Sequence, residues 1–338
     1  MQRKNYSLRE NPSFCETYLS SITQPFNHSI VHPKNNSVQF NMEHLYEVWP
    51  NLIQQIKENI QSLNPLNSTA TKALNLRLLQ VILMGQREVV ERLLKSGAKV
   101  NLKESDIEYT PLHLASAKGD VGIVECLLKY GAEINARTIN NWTPLLLASY
   151  NGHQGVVECL IKNNAELNAT TLNCNWTPLH QASRQGHFNI VACLIKSNAI
   201  INSKGLDNFS PLHLAAHYGH KHIVKYLLKN GANVDARTAE NWTALHLASC
   251  NGHQEIVEYL IKYRANVDAK NNQNWTALHL ASWNGHLDIL EFLIDYSGRD
   301  SNPRQQSWTS LHLAFLRDLF LRDRQYSTTT LCSPEWTL

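Results

Sequence analysis

Sixteen histidines and seven cysteines are the side chains whose types could do acid–base, nucleophilic or metal chemistry. Eleven of the histidines fall into two recurring slots. His113, His180, His213, His246, His279 and His312 each follow a Thr/Ser-x-Leu stretch, and His153, His187, His220, His253 and His286 each follow a glycine. A metal site or a general base needs a few groups converging on one point. A residue copied into every unit instead serves a need that every unit has, and both ring nitrogens can tie neighbouring backbone together. The cysteines are odd in number and contain no CxxC pair. That argues against zinc and against a disulfide framework, and for a reducing compartment. Gly85-Gln86-Arg87 lacks the spacing of a phosphate loop, and no Ser/His/Asp or Cys/His set stands apart from the repeats. Enzymatic activity, a cofactor and a metal are therefore not expected.

The elements that must position these residues follow a fixed period. Gly85, Gly119, Gly152, Gly186, Gly219, Gly252 and Gly285 are spaced by 33 or 34 residues, and Thr110, Thr143, Thr177, Ser210, Thr243, Thr276 and Thr309 keep the same rhythm. A period this constant marks a solenoid. In the unit 210–242, Ser210 is placed to cap a short helix with Pro211 in its first turn, and Gly219 ends it. A second helix follows with Ile223, Val224, Leu227 and Leu228 on one face, closed by Gly231. A polar excursion over 233–241 returns the chain to the next unit. Helices this short do not persist alone, so the units must stack and share one core. Ala215, Ala216, Ala248 and Ala281 would let the first helices approach closely.

These motifs resemble the ankyrin repeat family. Its signature T-P-L-H-x-A appears as Thr110-Pro111-Leu112-His113-Leu114-Ala115 and as Thr177-Pro178-Leu179-His180-Gln181-Ala182, with close variants at Ser210, Thr243, Thr276 and Thr309. The resemblance implies an all-α solenoid of stacked helix–turn–helix ankyrin repeats with β-hairpin fingers, cupped so that the first helices line an inner, concave face. Departures from the pattern are Leu146 in a histidine slot, Asn141, Asn175, Asn208, Asn241 and Asn274 in a finger-tip glycine slot, and Asn164, Asn198 and Arg264 at helix ends. Each of the last three is expected to sit in the left-handed region at some cost, with earlier fraying of those helix ends.

The repeat array is expected over residues 69–317, opening with a capping repeat in which Ala73–Met84 and Val89–Leu94 form the helix pair. Residues 1–68 read as a polar N-terminal extension with an amphipathic helix over 43–63, interrupted or restarted at Pro50, that either packs on the first repeat or docks a second protein. Residues 318–338 read as an atypical C-terminal cap or tail, because Asp318 takes the glycine position. No stretch approaches a membrane span or a Sec-type signal peptide, so no membrane association is expected. A net charge of +3 without a Lys/Arg cluster argues against nucleic acid.

An aromatic residue precedes each motif Thr/Ser: Tyr109, Trp142, Trp176, Phe209, Trp242, Trp275 and Trp308. The resemblance places this position, and the two residues before each inter-helix glycine, on the concave face. Partner contacts are therefore expected from those seven aromatics together with Lys118, Tyr150, Arg184, Tyr218 and Trp283, residue types that often anchor interfaces. The competing reading has each aromatic covering its own finger. The expected function is a non-catalytic protein–protein interaction module that binds a folded protein or an extended peptide, in the cytoplasm. The alternative is a two-site adaptor recruiting a second protein through residues 1–68, which deletion of that segment would separate. The 35 asparagines, with the resemblance, also admit an effector acting in the host cytosol of an intracellular pathogen. The family further includes substrates of asparaginyl hydroxylation, and Asn135, Asn168 and Asn202 occupy similar positions.

Overall fold

Each repeat begins where a threonine or serine leaves the extended region and caps a short helix. Thr110 (φ −94°, ψ 163°) accepts from the His113 backbone N–H, and Pro111 occupies a first-turn position where its missing N–H costs nothing. The His113 ring answers by accepting from the Thr110 N–H through Nδ1 at 3.2 Å, a reciprocal box in which histidine does the work usually done by glutamate. The same box closes at Thr177/His180, Ser210/His213, Thr243/His246 and Thr276/His279. At Thr143 the slot holds Leu146, and the threonine caps alone, accepting from Leu146 N at 3.3 Å.

The computed structural model describes residues 70–103 and 108–300. Fourteen α-helices occur among them. The first pair is α1 (Ala70–Met84) and α2 (Arg87–Lys95), followed by α3 (Pro111–Lys118) and α4 (Val121–Lys129), then α5 (Pro144–Asn151) and α6 (Gln154–Lys162). The central pairs are α7 (Pro178–Gln185) and α8 (Phe188–Lys196), and α9 (Pro211–His217) and α10 (Lys221–Lys229). The last are α11 (Ala244–Cys250) and α12 (Gln254–Lys262), and α13 (Ala277–Trp283) and α14 (Leu287–Asp300). Odd-numbered helices pack on one another in one layer and even-numbered helices in a second. The segments 1–68 (with 43–63) and 318–338, the unit opening at Thr309, and Trp308 lie outside the described residues.

One apolar cluster runs through the array from Leu78 in α1 to Leu293 in α14. Second helices supply it with triplets such as Ile123, Val124 and Leu127 or Ile256, Val257 and Leu260, all within 1% of full burial. Ala215, Ala216, Ala248 and Ala281 are fully buried between first helices. Helix ends turn through positive φ where the sequence reading placed them, including Asn164 (64°), Asn198 (69°) and Arg264 (63°). Gly119 shows a second constraint beyond its φ of +87°. A Cβ there would lie 2.4 Å from Nδ1 of His153 in the following unit, so only glycine lets that ring seat.

The expected β-hairpin fingers are corrected by the structure. Among the described residues there is no β-strand, and Tyr109 makes only an isolated bridge. In the four tryptophan fingers the reason lies in what closes the loop. Thr138 N donates to Trp142 O at 3.0 Å, but the returning donor, Trp142 N, goes to the Thr138 side-chain Oγ1 at 3.1 Å instead of to backbone. Thr171/Trp176 and Thr238/Trp242 repeat the substitution, and Asn271 does it with Oδ1 for Trp275. With the reciprocal backbone bond replaced by a side chain, no ladder propagates. The fingers are tight loops, joined to their neighbours by single bonds such as Leu172 N to Asn140 O (3.0 Å) and Asn272 N to Glu240 O (3.1 Å). The left-handed turns expected at Asn141, Asn175, Asn208, Asn241 and Asn274 are present, with φ between 50° and 61°.

Candidate functional site

The histidines are spent on cohesion. In the first-helix slot, Nδ1 accepts from the capping backbone N–H, which leaves Nε2 to carry the proton and donate forward to the next finger. His113 reaches Trp142 O at 3.0 Å, His180 reaches Phe209 O at 3.0 Å, His213 reaches Trp242 O at 3.2 Å and Ala236 O at 3.0 Å, and His246 reaches Trp275 O at 3.0 Å. The rings are at most 1% exposed. Burial pushes all four down to about 4, opposed only in part by the carbonyls they meet, so they are neutral stitches at neutral pH. Second-helix histidines reach backward: His153 to Ala117 O, His187 to Tyr150 O, His220 to Arg184 O, His253 to His217 O and His286 to Cys250 O, at 2.8–3.0 Å. The asparagines singled out for modification are stitches as well. The Oδ1 atoms of Asn135, Asn168 and Asn202 accept from Glu166 N, Ile200 N and Asn233 N at 2.8, 3.0 and 2.9 Å.

No group of three His, Cys, Asp or Glu side chains that could hold a metal ion occurs among the described residues. Burial raises the thiols of Cys126, Cys159, Cys174 and Cys193, and brings Cys250 up to about 11, so these cysteines stay protonated at neutral pH. A shallow cavity of about 300 Å³ opens beside the finger bases at Asn202, Lys204 and Arg237. Its carboxylate, Asp235, already accepts from Asn266 N at 2.8 Å.

The remaining positions are the ones that differ between units. Each finger aromatic is followed eight residues later by a first-helix residue, giving Ala117, Tyr150, Arg184, His217, Cys250 and Trp283 in turn. The structure brings these partners together. Trp142 and Tyr150 meet edge to face at 5.8 Å, and both are buried. Arg184 lies over Trp176, with Cζ 5.4 Å from the ring centroid. Trp242 and Cys250 share a cluster with Leu247 and Leu280, against which Phe209 and Trp275 pack. Trp275 meets Trp283 at 5.6 Å.

Exposure along the row is uneven. Tyr109 and Trp242 are buried, and burial raises the Tyr109 phenol to about 12. Trp176, Phe209, Tyr218 and Trp275 are half-buried, and Trp283 is 42% exposed. Lys118 is exposed, and its Nζ donates to the Leu83 and Ile82 carbonyls at the end of α1. Sequence reasoning did not find Gly205, whose added Cβ would come 2.5 Å from Trp176 Cδ1. This glycine makes room for the indole, and its place outside the repeated glycine slots was the available signal. Nor did it find Gln181, a fully buried amide with no partner for either polar atom, in a slot that other units fill with Leu114, Leu147, Leu214, Leu247 and Leu280.

No helix among the described residues is long and apolar enough to cross a membrane. A search of curated proteins finds no match. A family model described as ankyrin repeats (3 copies) matches residues 78–171, 169–238, 234–306 and 263–319, most of the chain. With helix pairs of that period stacked in two layers and stitched by the copied histidines, the chain belongs to the ankyrin-repeat family, a non-catalytic scaffold fold that serves in protein–protein interaction.

Proposed function

We propose that the concave face, lined by the odd-numbered helices and the fingers, is where this chain docks a protein partner in the cytoplasm. One observation supports this above others. The repeated His, Leu and Ala side chains are consumed inside the scaffold, whereas the residue eight positions after each finger aromatic changes from Ala117 through Arg184 to Trp283. Binding energy concentrates in buried aromatic and arginine anchors, and this face offers Trp176, Arg184, Tyr218, Trp275 and Trp283 in one row.

A photo-cross-linking residue at position 283 tests the reading against one at position 255, on the opposite layer in α12. The expected outcome is a partner captured from position 283 and not from 255, and lost when Trp275→Ala and Trp283→Ala are combined. Capture from 255 alone would contradict it.

A further inference from the structure

Midway along the proposed docking face a cation is held in place by aromatic side chains. The Arg184 guanidinium lies 5.4 Å from the Trp176 ring centroid and 5.5 Å from that of Tyr218, and its Nε donates to Tyr218 Oη at 3.1 Å. Both aromatic walls are themselves braced. Trp176 stacks on His180 (6.5 Å, 8° between planes) and lies against Gly205, while Tyr218 is flanked by His217 at 4.7 Å and His220 at 6.4 Å. Flanked by aromatic rings and tied at Nε, the guanidinium is left with the two Nη groups that form its fork.

Among the described residues no carboxylate lies within 4.0 Å of Arg184, although other cations on the molecule find partners, as Arg137 does with Glu166 at 2.9 Å. The twelve residues that precede the inter-helix glycines from Ala117-Lys118 to Trp283-Asn284 contain no Asp or Glu. His217 beside Arg184 accepts at Nδ1 from Asn251 Nδ2 at 3.0 Å, so it offers that nitrogen no proton. The fixed charge of these twelve residues is thus positive, while Asp207 in the adjoining finger is near enough to act with Arg184 on the Cys174 thiol. Three periods further along the same row stands Trp283, 42% exposed and packed on Trp275.

We infer that the partner is an acidic extended peptide segment, placing a carboxylate on the Arg184 fork and an apolar side chain on the Trp275/Trp283 pair. Repeats stacked about 8–10 Å apart put these two subsites roughly 24–30 Å apart. An extended chain at about 3.3 Å per residue spans that with about eight residues. The bidentate guanidinium–carboxylate pair is short and directional, and here it forms on a cation already held by two aromatic side chains.

The inference rests on the concave face being the docking face, and its test can fail separately. The probes are fluorescent twelve-residue peptides carrying Glu and Phe about eight positions apart, a version with Gln for Glu, and a version with the two anchors about three apart. The full chain should bind the first at least about tenfold more tightly than either of the others. Arg184→Gln should abolish the preference for Glu over Gln, and Arg184→Lys, which keeps the charge without the planar fork, should retain a smaller one. Thermal melts confirm that each variant folds. Equal binding of Glu and Gln peptides by the unmodified chain, or an undiminished Glu preference in Arg184→Gln, would overturn the inference. If a partner is captured at position 283 yet its affinity ignores Arg184→Gln, the docking face stands and the acidic ligand falls.

Discussion

Acidification should unstitch the array, and the size of the effect follows from the buried histidines. His113, His180, His213 and His246 are held near 4 in the folded chain against an ordinary value of about 6.5 unfolded. Their folded values are depressed, so the stability they contribute is complete above the unfolded value. It is lost as pH falls from about 6.5 toward 4, because the unfolded chain takes up protons that the folded chain refuses. Between pH 7 and pH 5 each ring should cost about 2 kcal/mol, and the four together about 7 kcal/mol. His213→Leu isolates one of them, since Leu146 already occupies the same slot in another unit without disturbing the cap. The variant should be less stable at pH 7 by about 1–3 kcal/mol, having lost the Ser210 box and the bonds to Trp242 O and Ala236 O. Its loss between pH 7 and pH 5 should nonetheless be about 2 kcal/mol smaller than that of the parent. Urea unfolding followed by tryptophan fluorescence at the two pH values measures both. Parallel losses in parent and variant would refute the idea that the copied rings are neutral stitches.

Three further outcomes follow from the packing. Gly131→Ala, at φ +83° with nothing within 4 Å, should cost about 1 kcal/mol, whereas Gly119→Ala must also displace the His153 ring and should cost at least about 1 kcal/mol more by chemical denaturation. Gln181→Leu should stabilise by about 1–3 kcal/mol, because it removes two unpaired buried polar atoms and restores the leucine that other units carry. A lower midpoint for that variant would show that the amide has a partner in solution. Arg264→Gly should gain about 1 kcal/mol by relieving a non-glycine residue at φ +63°, and an unchanged midpoint would argue against strain at that helix end.

Much of the scaffold is written locally and so could be read from the chain. Thr-Pro-Leu-His encodes a cap, a helix start and a reciprocal partner within four residues, and the period then dictates stacking. The histidines were read as ties between units for the same reason, since a need shared by every unit leaves a copied residue. The fingers failed to be hairpins because the choice between a backbone ladder and a side-chain closure depends on where Thr138 Oγ1 points, which period does not convey. Exposure along the aromatic row was illegible for a related reason. Whether a finger aromatic is covered depends on the residue eight positions on and on the next finger: Tyr150 closes over Trp142, whereas Gly205 lets Trp176 lean forward under Arg184. Gln181 in a leucine slot was visible in the sequence, but its lack of partners is a property of the packed neighbours.

The molecule divides into residues that hold it together and residues proposed to select a partner. Two tryptophans in the same row test this division most directly: Trp142 at 7% exposure and Trp283 at 42%. Unfolding free energy and affinity for the partner captured at position 283 are measured for Trp142→Ala and Trp283→Ala side by side. Trp142→Ala should cost about 3–5 kcal/mol of stability, while Trp283→Ala should cost about 1 kcal/mol or less and remove most of the binding. A Trp283→Ala chain that binds as tightly as its parent, or a Trp142→Ala chain as stable as its parent, would contradict it.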